Sequence, residues 1–98
     1  MDLEMQRVCE CLQRNKTRAT YGAVGEYTHT PHRSVSGRLG RKCPLASWVV
    51  RADTKKPKGY APTQLDTDLE SKPDIITTGD ELGLLMRQDF EQQQQEEN

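Results

Sequence analysis

Residues 32–42 read HRSVSGRLGRK, with three arginines, one lysine and one histidine but no acid. Guanidinium groups stay charged in water and bond oxyanions through two parallel N–H donors, so the chemistry on offer is anion recognition. Only Val35 and Leu39 are large and apolar, and they stand four apart, as one narrow stripe of a helix. Arg33, Ser36, Arg38 and Arg41 fall largely outside that stripe and are free for solvent or a ligand. Thr30-Pro31 just before it has the form of a helix start: threonine caps, and proline takes the first helical position, where its missing N–H does no harm. The spacing predicts a helix from Pro31 to about Arg41.

The chain offers little for other chemistry. Cys9, Cys11 and Cys43 are an odd count without a framework spacing, and Cys9 and Cys11, two apart on a helix, point to different faces. His29, His32 and Cys43 are the remaining candidates for a metal, but no CxxC or HxxxH pair anchors a site. We expect no metal and no cofactor. His29 and His32 are expected to cap or hydrogen-bond locally, or to touch phosphate when protonated.

The 98 residues carry a net charge of −1 that conceals a split. Residues 1–60 hold twelve Lys+Arg against five Asp+Glu, and residues 61–98 hold two against ten. A basic body suits a phosphate backbone, although solvated lysines on an ordinary surface would leave the same trace. Apolar residues are 33% and charged residues 30%, which implies one domain with a modest core. No stretch approaches the roughly 20 apolar residues that span a bilayer. The start, MDLEMQRVCE, lacks the basic and apolar regions of a signal peptide. The expectation is a cytoplasmic protein with no membrane partner.

Residues 2–14 place Leu3, Met5, Val8, Cys9 and Leu12 at helical spacing, and residues 17–20 (TRAT) form a brief extended link. Thr20 caps a second helix from Tyr21 to Tyr27, in which Ala23, Val24 and Tyr27 turn inward. Gly22 and Gly25 weaken that helix or mark close contact with another element. Cys43-Pro44 stops the third helix. Ser47–Arg51 (SWVVR) favours a strand, 53–59 (DTKKPKG) a basic turn, and Tyr60 a returning strand, which together predict a hairpin tipped by Lys55, Lys56 and Lys58. Residues 63–70 suggest a short helix and 74–77 a short strand. Thr78 and Glu81 match a capping box that opens a helix burying Leu82, Leu85 and Met86, with Phe90 a further candidate on the same helix. The end, QDFEQQQQEEN, has no apolar face and is expected to fray. The fold class expected is α+β, mainly α: a winged helix-turn-helix with a small basic β-hairpin over residues 1–90, and a disordered Gln/Glu-rich tail over 91–98.

Residues 19–50, ATYGAVGEYTHTPHRSVSGRLGRKCPLASWVV, resemble the DNA-binding domain of alkylguanine-DNA alkyltransferases, and especially their non-enzymatic relatives, the alkyltransferase-like proteins. Thr20-Tyr21-Gly22 is similar to the family's TYG, which implies that Tyr21 contacts phosphate beside a rotated nucleotide. Residues 33–39 (RSVSGRL) are similar to R-A-V-G-G-A-L. The resemblance makes Arg33 the finger that replaces an extruded base, with Ser36 and Gly37 where the helix approaches DNA closely. The family's acceptor box, P-C-H-R-V, aligns through Val49-Val50 so that the acceptor cysteine corresponds to Ala46, and its histidine and arginine to Ser47 and Trp48.

Without a thiolate or an activating histidine at that spot, alkyl transfer has no nucleophile, and Cys43 just upstream has no base placed by sequence. The resemblance therefore implies a protein that is not an enzyme. It would bind duplex DNA and a repair protein, and recognise alkylated or damaged bases by nucleotide flipping into a pocket at Ala46 and Trp48. Arg38, Arg41, Lys42 and the wing lysines would then contact phosphate. Trp48 is most simply core, and Tyr21 can be half-buried packing. Two other readings stay open: a winged-helix regulator without flipping, and a protein-interaction module.

Overall fold

The computed structural model describes residues 1–69 and 73–96, with the side chain of residue 96 left aside. Four helices surround a small sheet: α1 (Leu3–Asn15), β1 (Arg18–Thr20), α2 (Tyr21–Thr28), α3 (His32–Leu39), β2 (Val49–Val50), β3 (Ile75–Ile76) and α4 (Gly79–Glu96). Single 3-10 turns cover Ala46–Trp48 and Pro62–Gln64. The fold class is α+β and mainly helical.

Asp2 caps α1 by accepting from the Met5 N–H at 2.9 Å, and Lys16 closes it in the left-handed region (φ 52°). Met5, Val8, Cys9 and Leu12 are buried, as their spacing requires, but Leu3 is 61% exposed and lies outside the core. Cys11, two residues beyond Cys9, is also buried, because α1 is covered on a second side by α4.

The TRAT link is more than a connector. It is the central strand, parallel to β2 (Ala19 beside Val49) and to β3 (Arg18 beside Ile75). All three of its residues are buried, as expected for a strand flanked on both edges. The strand at 74–77 is thus confirmed as Ile75–Ile76. The proposed strand at 47–51 shrinks to Val49–Val50, since Ala46, Ser47 and Trp48 form a 3-10 turn.

The antiparallel hairpin is not formed among the described residues. Val49–Val50 pairs in parallel with β1, and the chain then folds back on itself through Arg51 N–H to Lys56 O (3.0 Å) and Lys55 N–H to Arg51 O (2.8 Å). Pro57 is buried and has no N–H for a ladder, and Tyr60 packs on the core outside any strand. Likewise the helix expected at 63–70 is a single 3-10 turn ended by the turn at Asp66–Leu69; residue 70 lies outside the described residues.

Thr78 caps the helix as predicted, its Oγ1 accepting from the Glu81 N–H at 3.2 Å, while the Glu81 carboxylate accepts from the Thr78 hydroxyl at 3.3 Å and not from the Thr78 backbone as a full capping box would. The helix does not stop near Phe90 but runs to Glu96. Its buried Asp89 binds Arg14 and Asn15 of α1, and the Gln93 amide oxygen accepts from Arg14 Nη2 at 2.7 Å, so side-chain contacts hold the turn after Phe90 where no apolar face exists. Of the disordered tail expected at 91–98, residues 91–96 are therefore helical, and 97–98 lie outside the described residues. Leu82 is fully buried and Leu85 and Met86 half-buried, whereas Phe90 is 60% exposed.

The core is one cluster that joins α1, α2, α3, the Ala46–Trp48 turn and α4, with Trp48 its largest fully buried side chain. Among the described residues no helix is long and apolar enough to cross a membrane.

Candidate nucleic-acid interface

A tight turn joins α2 to α3. Thr20 Oγ1 accepts from the Ala23 N–H at 3.0 Å and starts α2, and His29 in the left-handed region (φ 56°) ends it. The Thr30 N–H then donates to the Gly25 carbonyl at 2.8 Å. A Cβ on Gly25 would lie 2.7 Å from the Thr30 carbonyl oxygen, so only glycine lets the turn pass this close to α2. Here the reading of a helix glycine as a close contact is correct.

The start of α3 differs from expectation. Pro31 sits at the cap position, His32 is the first helical residue, and no side chain caps the end. Thr30 does not cap; its hydroxyl accepts from Arg38 Nη1 at 2.6 Å. The helix also ends early, because Gly40 (φ 74°, ψ −132°) adopts a conformation that a side chain forbids. Arg41 and Lys42 therefore lie beyond α3.

Val35 and Leu39 are buried, and Arg33, Ser36 and Gly37 are exposed, as the narrow stripe dictates. Gly37 faces open space. Arg38 is placed differently. Its Nε donates to Asp2 Oδ2 at 2.9 Å and its Nη2 to Glu4 Oε1 at 3.0 Å, so its guanidinium clamps α3 and the turn to the start of α1. The Asp2 carboxyl is held below its ordinary pKa by the hydrogen bond from Arg38, aided by the Met5 N–H. A phosphate would have to displace two carboxylates to reach Arg38.

The loop that carries Lys55, Lys56 and Lys58 is tied to α2 and β1. The Tyr21 hydroxyl accepts from the Lys58 N–H at 3.2 Å, and Arg18 Nη1 donates to the Lys55 carbonyl at 3.1 Å. The Tyr21 ring stacks on His32, with centroids 6.3 Å apart and planes 26° apart. Lys42 lies over Gly59, where a Cβ would come within 2.9 Å of its Nζ. A continuous path therefore links the basic loop (Lys55, Lys56, Lys58), Lys42, Tyr21, His32 and the start of α3 at Arg33. All five of those basic residues are exposed, and among the described residues none enters an ion pair. Within the loop Arg51 pairs with Asp53, 2.9 Å apart. Tyr21 is only 8% exposed, so it serves here as the bracket between helix and loop. Pro31, His32 and Arg33 line a shallow depression at the start of α3.

The pocket expected at Ala46 and Trp48 is filled. Ala46 is 1% exposed and Trp48 0%. The indole Nε1 donates to Asp66 Oδ2 at 3.2 Å, and the Asp66 N–H donates to Ser47 Oγ at 3.0 Å, which closes the 62–69 segment over the turn. This corrects the assignment of both residues to a base pocket: apolar burial of the indole, with its one polar atom satisfied, leaves no room for a nucleobase.

Burial pushes the Cys9 and Cys11 thiols up to about 12, so neither is a thiolate near neutral pH. Among the described residues no group of three or more His, Cys, Asp or Glu side chains is placed to hold a metal ion. Sequence reasoning missed two positioning residues. Arg18, buried beneath the basic loop, had as its signal only a place in the extended TRAT link; Asp66 had none, since its partners are distant in sequence.

Comparison with protein-family models, with curated proteins and with solved structures returned no match.

Proposed function

We propose that this protein is a non-enzymatic binder of duplex DNA, with α3 and the 51–60 loop serving as the recognition helix and wing of a winged-helix module. The supporting observation is the bracket through Tyr21, which joins the Lys58 backbone to His32 and so gathers Arg33, Lys42 and the loop lysines. Cations on a rigid frame release counterions from phosphate, and this supplies sequence-independent affinity. Arg33, on the first turn of α3 and outside any ion pair among the described residues, is the side chain that probes the duplex where a base is weakly stacked. Flipping costs a few kcal/mol and less at a damaged base, so a finger without chemistry favours lesions. The alkyltransferase-like resemblance of residues 19–50 points the same way, and Ala46 at the acceptor position removes the nucleophile. In this reading the protein marks damage for a repair partner.

A labelled-duplex anisotropy titration at several salt concentrations tests the proposal. With about five phosphates neutralised, log K falls against log salt with a slope of about −4 to −5. No binding at low salt would sink it. The burial of Ala46 and Trp48 favours a second reading, in which the module binds duplex as a regulator without flipping. Equal affinity for duplexes with and without an alkylated guanine selects that reading; a lesion preference lost in Arg33→Ala selects the first.

A further inference from the structure

Helix α4, the start of α1 and the end of α2 enclose an open groove of about 1130 Å³, lined in part by Leu3, Tyr27, Leu84, Met86 and Phe90. Leu3, Leu84 and Phe90 are 61%, 56% and 60% exposed, unusual values for large apolar side chains that share one groove. Arg7, Asp80 and Arg87 also line it, and Glu91 follows Arg87 by one turn. At 100° per residue, Asp80, Gly83, Leu84, Arg87, Phe90 and Glu91 fall within a sector of about 120° on α4. Among the described residues neither Arg87 nor Glu91 enters an ion pair within the chain.

We propose that this face docks a second copy of the chain, with the two α4 helices antiparallel about a two-fold axis at Arg87. A two-fold interface uses the same patch twice, so the patch must be complementary to itself. The order of residues on α4 meets that condition. Leu84 stands three residues before Arg87 and Phe90 three after, so reversal about Arg87 lays Leu84 of each copy against Phe90 of the other. The same reversal sets Glu91 of one copy one turn from Arg87 of the other, opposite Gly83 and the Tyr27 ring that packs beside it. Two apolar pairs and two crossed ion pairs result from one helix. The two signs of charge on one stripe favour a like partner over a ligand of a single sign.

Sedimentation of the full chain without DNA, over a wide concentration range, tests this separately from the nucleic-acid reading. The expected result is a monomer–dimer equilibrium. Phe90→Asp should weaken it at least about tenfold while the far-ultraviolet circular dichroism stays unchanged, since the ring is exposed. Arg87→Glu should weaken dimerisation, and Arg87→Glu with Glu91→Arg should restore it, which a purely structural role would not do. A chain that stays monomeric at every concentration overturns the proposal. So does a dimer indifferent to Phe90→Asp, or a charge exchange that fails to restore association.

Discussion

The indole Nε1 of Trp48 donates to the Asp66 carboxylate at 3.2 Å, and the same oxygen accepts from Gln13 Nε2 at 3.0 Å. One carboxylate therefore joins the turn beside β2, helix α1 and the 62–69 segment. Desolvation raises its pKa, but hydrogen bonds from Gln13, the Asp68 N–H and Trp48 outweigh it and hold the group below the ordinary value. Asp66→Ala leaves a buried indole N–H without its acceptor, so urea unfolding should show a loss of about 1–3 kcal/mol. An unchanged midpoint would refute the role given to Asp66.

Asp89 should set part of the acid sensitivity. The hydrogen bond from Arg14 is the main cause of its lowered pKa, with Asn15 contributing, against the opposing effect of burial. A carboxyl whose folded pKa is depressed binds fewer protons folded than unfolded. Its stabilisation is present above the unfolded pKa, about 3.9, and is lost as pH falls through the folded value. The Asp89→Asn variant should therefore be less stable at neutral pH, while the gap to the parent narrows in acid. Thermal melts from pH 7 down to pH 2 would read this out; a constant gap would exclude it.

Gly25→Ala should damage both fold and binding. The added methyl meets the Thr30 carbonyl at 2.7 Å, and backbone must move to relieve it. Overpacking of this kind costs about 1–3 kcal/mol. The shift opens the turn between α2 and α3, so duplex affinity should fall even at temperatures where the variant remains folded. Gly37→Ala, whose methyl would enter open space, is the matched control and should leave the melting temperature nearly unchanged.

The basic residues in and just after α3 should separate by role. Arg33→Ala and Lys42→Ala should each lower the salt slope of duplex binding by about 1, as expected for phosphate contacts. Arg38→Ala should instead lower the melting temperature, because it releases Asp2, Glu4 and Thr30, and should leave the slope unchanged. A slope change in Arg38→Ala would mean that DNA displaces those carboxylates.

How much of this was legible depended on whether the controlling contact was local. Thr20 and the Thr78–Glu81 pair declared their helices, because a cap acts over three residues. Val35 and Leu39 declared the buried stripe of α3, and with it the outward set of Arg33, Ser36 and Gly37. The strand pairing was not legible. Val49 and Val50 favour a strand of any kind, and nothing nearby says that their neighbour is TRAT and not Tyr60. The role of Arg38 was hidden for the same reason, since its acids lie 36 and 34 residues away. The extension of α4 past Phe90 rests on Asp89, which reads in sequence as one more acid in an acidic tail.

Strand β1 has one further consequence, for the way the chain reaches its native state. Its three residues take partners about thirty residues onward in β2 and about fifty-seven onward in β3, and with so few ladder bonds neither pairing persists alone. Local helices can flicker early, but the sheet closes only when the far end of the polypeptide arrives, which makes acquisition of structure late and all-or-none. Any fragment cut before Ile75 should remain largely unfolded, however well its first helices are encoded.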